Sequence, residues 1–110
     1  MNSMPENALI VLSTAPDRDT AERLATRLVE QKLAACVNIS AQITSVYAWK
    51  GNVEHDNEYQ LVIKTTRARY DALQHEIRNL HPYELPEILA LPVSDGLPAY
   101  LDWIEACTKN

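Results

Sequence analysis

Between Cys36 and Thr66 apolar and polar residues alternate for so long that the stretch reads as one extended β-hairpin, and whatever else the chain forms must pack around it. In the first arm Ala35, Val37, Ile39, Ala41 and Ile43 are apolar while Cys36, Asn38, Ser40, Gln42 and Thr44 are mostly polar, the period of a half-buried strand. In the second, Val53, Tyr59, Leu61 and Ile63 share one parity, interrupted by His55 and Asn57; Glu54, Asp56, Glu58, Gln60 and Lys64 hold the other, with Val62 the exception. Gly51 in the link Trp49-Lys50-Gly51-Asn52 supplies the positive φ of a tight turn. An arm from Cys36 to Trp49 extends roughly 45 Å at ~3.3 Å per residue, whereas a compact domain of this length is only ~34 Å across. Even if a bulge shortens it, part of the hairpin should overhang. Its tip is apolar on both parities, Tyr47 and Trp49 on one, Val46 and Ala48 on the other. Aromatics on a projecting ribbon are costly in water, so Val46, Tyr47 and Trp49 are read as a subunit-contact device.

The remaining elements fall in order around this ribbon. Residues 1–7 read as a loose tail and 8–110 as a single domain, without repeats or a dividing linker. Ala8 to Thr14 is a strand apolar on both parities, so both its faces should be covered. Asp17 is placed to cap a helix with Ala21, Leu24, Ala25, Leu28 and Val29 along one stripe, ending near Lys32. Thr66 is placed to cap a second helix carrying Tyr70, Leu73, Ile77 and Leu80. Pro82 pushes His81 out of helical dihedrals and stops that helix. A short strand, Ile88 to Leu91, ends at Pro92, and a last helix carries Leu97, Tyr100, Leu101, Ile104 and Cys107. The order β-α-β-β-α-β plus a C-terminal helix is the ferredoxin-like split βαβ arrangement of the α+β class. That fold leaves one sheet face open, and the doubly apolar first strand implies that another copy covers it. Three overhanging hairpins, each hooking a neighbour, predict a closed homotrimer.

Bulk properties remove several function classes. A net charge of −5 over 110 residues, with no basic run, argues against a nucleic-acid surface. The longest apolar run, Ala8 to Leu12, is too short to insert in a membrane, and the first residues lack a secretion-signal pattern, so a cytoplasmic location is expected. The two cysteines, Cys36 and Cys107, are expected to be free. With only Gly51 and Gly96 no glycine-rich phosphate loop can form.

The chemistry-bearing residues are few. The first β-α loop, Ser13-Thr14-Ala15-Pro16-Asp17, lacks the thiolate pair of a metallochaperone and the arginine of an acylphosphatase-like phosphate cradle. His55, between Glu54 and Asp56, alternates faces with them and reads as solvated charge. His75 with Asp71 reads as an exposed helix pair. His81, beside Tyr83, Glu84 and Glu87 at a rigid joint, is either a helix-terminating residue satisfied by backbone groups or a ligand. Nothing in the sequence places a base to activate Ser13, Thr14 or Lys64, and Lys64 reads as a surface or inter-subunit charge.

Several motifs together carry a resemblance. Thr14-Ala15-Pro16, Leu33-Ala34-Ala35-Cys36-Val37-Asn38, Tyr47-Ala48-Trp49-Lys50-Gly51, Ile63-Lys64-Thr65-Thr66, the run from His81 to Ile88 and Tyr100-Leu101-Asp102-Trp103-Ile104 resemble the CutA divalent-cation tolerance family from about Ala8 to Cys107. The resemblance implies a tight trimer of ferredoxin-like subunits without enzyme activity, tied to tolerance of copper and other divalent cations. Similar trimers among the PII signalling proteins make a regulatory role the alternative, with metal linked only indirectly through a partner protein. In bacterial members with proposed copper ligation, the ligands are a cysteine ending the first strand and a histidine pair opening the His-Pro-Tyr motif. Here Ser13 and Leu80 occupy two of those positions, leaving His81 as the candidate ligand for Cu(II) or another divalent cation. The split βαβ order puts the first and last strands side by side, so the His81 ring is expected to face a cleft near Ser13.

Overall fold

The structure, a computed structural model, describes residues 7–109. Of the expected tail only Asn7 is among them, and the last residue of the expected 8–110 domain lies outside. The elements run β1 (Ala8–Ala15), α1 (Arg18–Glu30), β2 (Cys36–Trp49), β3 (Asn52–Thr66), α2 (Arg67–Leu80), β4 (Leu89–Pro92) and α3 (Pro98–Cys107). They build an antiparallel sheet in the order β2-β3-β1-β4, the ferredoxin-like α+β arrangement. Pro92 ends β4 opposite Leu9, on an edge strand, where its missing N–H costs nothing to a neighbour.

Capping explains where the helices start and stop. Asp17 accepts the Thr20 N–H at 2.7 Å, and that bond holds its carboxyl below the ordinary range. Ala21, Leu24, Ala25 and Leu28 are buried, whereas Val29 is 43% exposed because the stripe rotates away from the sheet by the last turn. The helix ends two residues before the expected Lys32, which adopts a left-handed φ of 59°. There the Lys32 N–H returns to Val29 O and the Leu33 N–H to Leu28 O, closing the last turn. Thr66 does sit at the N-cap of α2, but its side chain makes no capping bond; its hydroxyl instead lies 3.5 Å from that of Thr108 beyond α3.

Helices α1 and α2 cover one sheet face. Leu24 and Leu28 of α1, Leu73 and Ile77 of α2, and Val11, Leu61 and Ile63 of the sheet form one buried cluster. The opposite face carries Ile10, Leu12 and Val62, half-buried, beside Leu89 and Leu91, which are 59% and 46% exposed. Helix α3 shields only part of it, burying Leu101 and Ile104.

The hairpin is as long as its alternation implies, but it is not one uninterrupted pattern. Ile39 pairs with Leu61 and Gln42 with Tyr59, so Ser40 and Ala41 together oppose Gln60 in a β-bulge. Ser40 Oγ accepts the Gln60 N–H at 2.8 Å, replacing the ladder bond lost there. Beyond the bulge the parity reverses. Ile43, Tyr47 and Trp49 therefore share the face of Glu58, Asp56 and Glu54, and Ala41 is exposed, contrary to an unbroken odd-residue stripe. At the tip Lys50 and Gly51 both take positive φ, 51° and 84°, as a type I′ turn requires. The molecule measures 50 × 25 × 24 Å, its length set by the overhanging ribbon.

Two substitutions test this account by urea denaturation. Lys32→Gly removes a β-carbon from a left-handed position and should stabilise by ~0.5 to 1 kcal/mol. Ser13 Oγ is buried without a hydrogen-bond partner, so Ser13→Ala should stabilise by ~1 kcal/mol; a loss of that size would mean that the hydroxyl is satisfied.

Candidate functional site

Segments far apart in sequence converge at the end of β1, and His81 holds them together. It ends α2 with its N–H on Ile77 O at 2.8 Å, while extended dihedrals send the chain away from the helix axis. The imidazole folds back on the sheet and is only 8% exposed. Its Nε2 lies 2.6 Å from Thr14 O, and its Nδ1 accepts the Tyr83 N–H at 3.1 Å. A carbonyl can only accept, so Nε2 carries the proton and Nδ1 the lone pair: one neutral tautomer satisfies both contacts.

That arrangement aims Tyr83. Its ring lies against the imidazole with centroids 4.8 Å apart, and its hydroxyl donates to Glu58 Oε2 at 2.9 Å. Glu58 is 7% exposed. Two residues along the same face of β3, Asp56 accepts the Tyr47 hydroxyl. Burial first, and then the bond to the Glu58 carboxylate, push the Tyr83 phenol well above its ordinary range. The hydrogen bond to Asp56 chiefly raises Tyr47 to about 12. Both hydroxyls therefore stay protonated donors at neutral pH.

Between this acidic strip and the joint from Pro82 to Glu87 opens a cavity of about 800 Å³, with Thr14 at the end of β1 on its wall. The hairpin side contributes Val46, Tyr47 and Trp49, which are 60%, 40% and 37% exposed in the single subunit. The expected cleft thus lies at the end of the first strand, but its walls are not Ser13 and His81. Ser13 pairs with Leu61 and, by the alternation of β1, faces the helices, whereas Thr14 faces the cavity.

The donor set implied for a metal does not fit one. Both ring nitrogens of His81 are engaged by backbone groups, Leu80 packs against the core, and the Ser13 hydroxyl is sealed inside it. Among the described residues no three of His, Cys, Asp and Glu come together as a metal-holding group. His55 and His75 are exposed. Lys64 Nζ donates to Asn38 Oδ1 and lies 4.0 Å from Cys36 Sγ.

Glu58 and Asp56 are the residues that sequence reasoning missed. Their acidic parity was visible, but the bulge in β2 that turns the tip aromatics onto their face leaves no mark in the alternation. The partner of Glu58 arrives from 25 residues away.

Comparison with known proteins agrees with the fold. The family model described as CutA1 divalent ion tolerance protein matches residues 9–107. The divalent-cation tolerance protein CutA of Thermus thermophilus is 46% identical over 99 residues, covering 90% of this chain and 96% of that protein. Protein CutA of Mus musculus is 42% identical over 107 residues, which make up 97% of this chain but only 60% of the mouse protein. The crystal structure of CutA1 from Oryza sativa superposes with a TM-score of 0.92 at 40% identity, covering 97% of this chain and 98% of that one. A match over nearly the whole chain, in sequence and in backbone alike, places the protein in the CutA1 divalent ion tolerance family.

Proposed function

We propose that the chain works as a non-catalytic homotrimer in the cytoplasmic response to copper and other divalent cations, by signalling to a partner protein rather than by lodging a metal at His81. The observation that carries this reading is the imidazole itself, whose two nitrogens are spent on Thr14 O and the Tyr83 N–H. A metal would have to displace a backbone bond to reach either one, at a cost of ~1 to 3 kcal/mol for each group left unpaired in a buried site. Divalent-cation tolerance is what the relatives are named for, and a regulatory trimer reconciles that name with a donor set unfit for a metal.

Assembly is supported by what one subunit leaves uncovered. Leu89 and Leu91 beside Ile10 and Leu12 form an apolar face that α3 does not finish, and Val46, Tyr47 and Trp49 project on the ribbon. Both β2 and β4 are sheet edges with unpaired backbone groups. An edge-to-edge contact between unlike strands is heterologous and must close into a ring to avoid a filament, which favours a cyclic trimer over an isologous dimer. For catalysis, the candidate nucleophiles lack an activating base: Ser13 Oγ has no partner, and the His81 imidazole serves the backbone. Free Cys36 and Cys107 suit a reducing compartment.

Calorimetric titration with Cu(II), Zn(II) and Cd(II) separates this reading from direct ligation. His81→Ala should leave any metal affinity within about two-fold while lowering folding stability by ~2 kcal/mol, because Thr14 O and the Tyr83 N–H lose their partner. A ten-fold loss of metal affinity at unchanged stability would sink the reading. Light scattering should give the mass of three subunits, insensitive to dilution, and Trp49→Ala should weaken the assembly by ~2 kcal/mol or more. A monomer that forms on dilution of the unaltered protein would refute the role given to the hairpin tip.

A further inference from the structure

The cavity between the hairpin and the Pro82–Glu87 joint is chemically one-sided. Asp56, Glu58, Glu84 and Glu87 line it, and among the described residues no lysine, arginine or histidine does. Glu58 is the unusual member. A carboxylate 7% exposed is expensive to keep charged unless a cation meets it. Its bond from Tyr83 occupies one oxygen, and no ion pair to Glu58 is found among the described residues. The neutral hydroxyls of Tyr83 and Tyr47 fix Glu58 and Asp56 in place without cancelling their charge.

The remaining walls narrow the class of cation. Tyr47, Trp49 and Tyr83 are aromatic, and ring faces attract a positive group while sheltering aliphatic carbons; the chain's own Lys50 Nζ already lies 5.5 Å from the centroid of the Trp49 ring, so Trp49 serves here by sheltering carbon. Because no three of His, Cys, Asp and Glu among the described residues converge, a single compact ion finds no shell of ligands. Separated carboxylates with aromatic surface between them suit instead a molecule whose positive charges are separated by an apolar spacer. A volume of about 800 Å³ is ample for one. The net charge of −5 adds a long-range attraction of the right sign.

We propose that this cavity is a binding site for an extended organic cation, an aliphatic di- or polyamine. One ammonium group meets the free oxygen of Glu58. The methylenes lie along Trp49 and Tyr47, and a second ammonium reaches Glu84 or Glu87 across the cavity. The proposal builds on the reading of the protein as a binder rather than a catalyst. It does not depend on how metals act, and in a trimer joined through the hairpins the Tyr47–Trp49 wall is the part nearest a neighbour.

The test is calorimetric titration of the assembled protein with spermidine and with putrescine, using Mg²⁺ as an inorganic dication of the same charge as putrescine. The mass of each sample is read by light scattering. Spermidine should bind saturably and at least ten-fold more tightly than Mg²⁺. Glu58→Gln, whose amide oxygen still accepts from Tyr83, should weaken it ten-fold or more, while Glu30→Gln, removing the same charge from α1, should change it less than two-fold. If Glu58→Gln does not fold, the Glu84→Gln, Glu87→Gln double variant at two exposed positions carries the test, with the same ten-fold loss expected. Equal losses in Glu58→Gln and Glu30→Gln would overturn the proposal in favour of diffuse attraction to an acidic surface. Absence of spermidine binding to an intact trimer, with Glu58→Gln making that trimer dissociate more readily, would overturn it in favour of a neighbour's side chain filling the cavity. Spermidine binding by a protein that scatters as a monomer would sustain the site and refute the trimer instead.

Discussion

Between Ile39 and Gln42 the second strand holds one residue more than its partner, and Ser40 Oγ takes the Gln60 N–H that this insertion leaves without a ladder acceptor. Side chains alternate strictly along a strand, so one inserted residue moves everything beyond it to the other face. On the near side Val37 and Ile39 pack on the core that α1 and α2 cover. On the far side Ile43, Tyr47 and Trp49 join Glu58, Asp56 and Glu54 on the face those helices leave open. Without the extra residue, the tip aromatics would lie on the helix-side face and the acidic strip would stand alone on the other. The cavity exists because both sets share a face.

The second half of the cavity depends on how α2 ends. A helix stopped by proline has carbonyls to satisfy and a chain direction to set, and His81 addresses both with groups from three places: Ile77 O, Thr14 O and the Tyr83 N–H. The ring thereby ties the end of β1 to the joint. Tyr83 is delivered to Glu58 as a consequence, with its ring braced against the imidazole. A residue that resembles a metal ligand in sequence is here a structural clamp whose effect on the cavity passes through Tyr83.

Much of the architecture was legible because it rests on periodicity and punctuation. The hairpin length followed from alternation, its turn from Gly51, the start of α1 from Asp17 and the end of α2 from Pro82. What periodicity could not convey was phase. The alternation of Ala41 and Ile43 continues that of Val37 and Ile39 in the letters but not in space, since the bulge is a hydrogen-bonding choice made by Ser40 and Gln60 across the ladder. Likewise Ser13 and Thr14 are adjacent letters, yet strand geometry sends Thr14 to the cavity and Ser13 to the core. Thr66 shows the same limit at a helix start: a good capping residue at the right position turned its hydroxyl toward Thr108. Choices of this kind depend on partners far along the chain.

Glu58 raises the question of why a buried carboxylate stands there at all. It is 7% exposed, and one side-chain hydrogen bond, from the Tyr83 hydroxyl, meets it, whereas buried carboxylates usually stand beside a cation or several donors. A glutamine would accept the same bond without the charge, and an apolar residue would leave only the Tyr83 hydroxyl to satisfy. Nor does the chain's overall charge help, since at −5 it raises the cost of every further anion. The tyrosine that faces Glu58 is itself held in its neutral form, so it fixes the position of the carboxylate as a hydrogen-bond donor and not as a cation. An interaction that is poor for stability yet geometrically well supported is the signature of a group kept for something outside the subunit. Glu58 lines the cavity, so a positive group that pairs with it would approach from there.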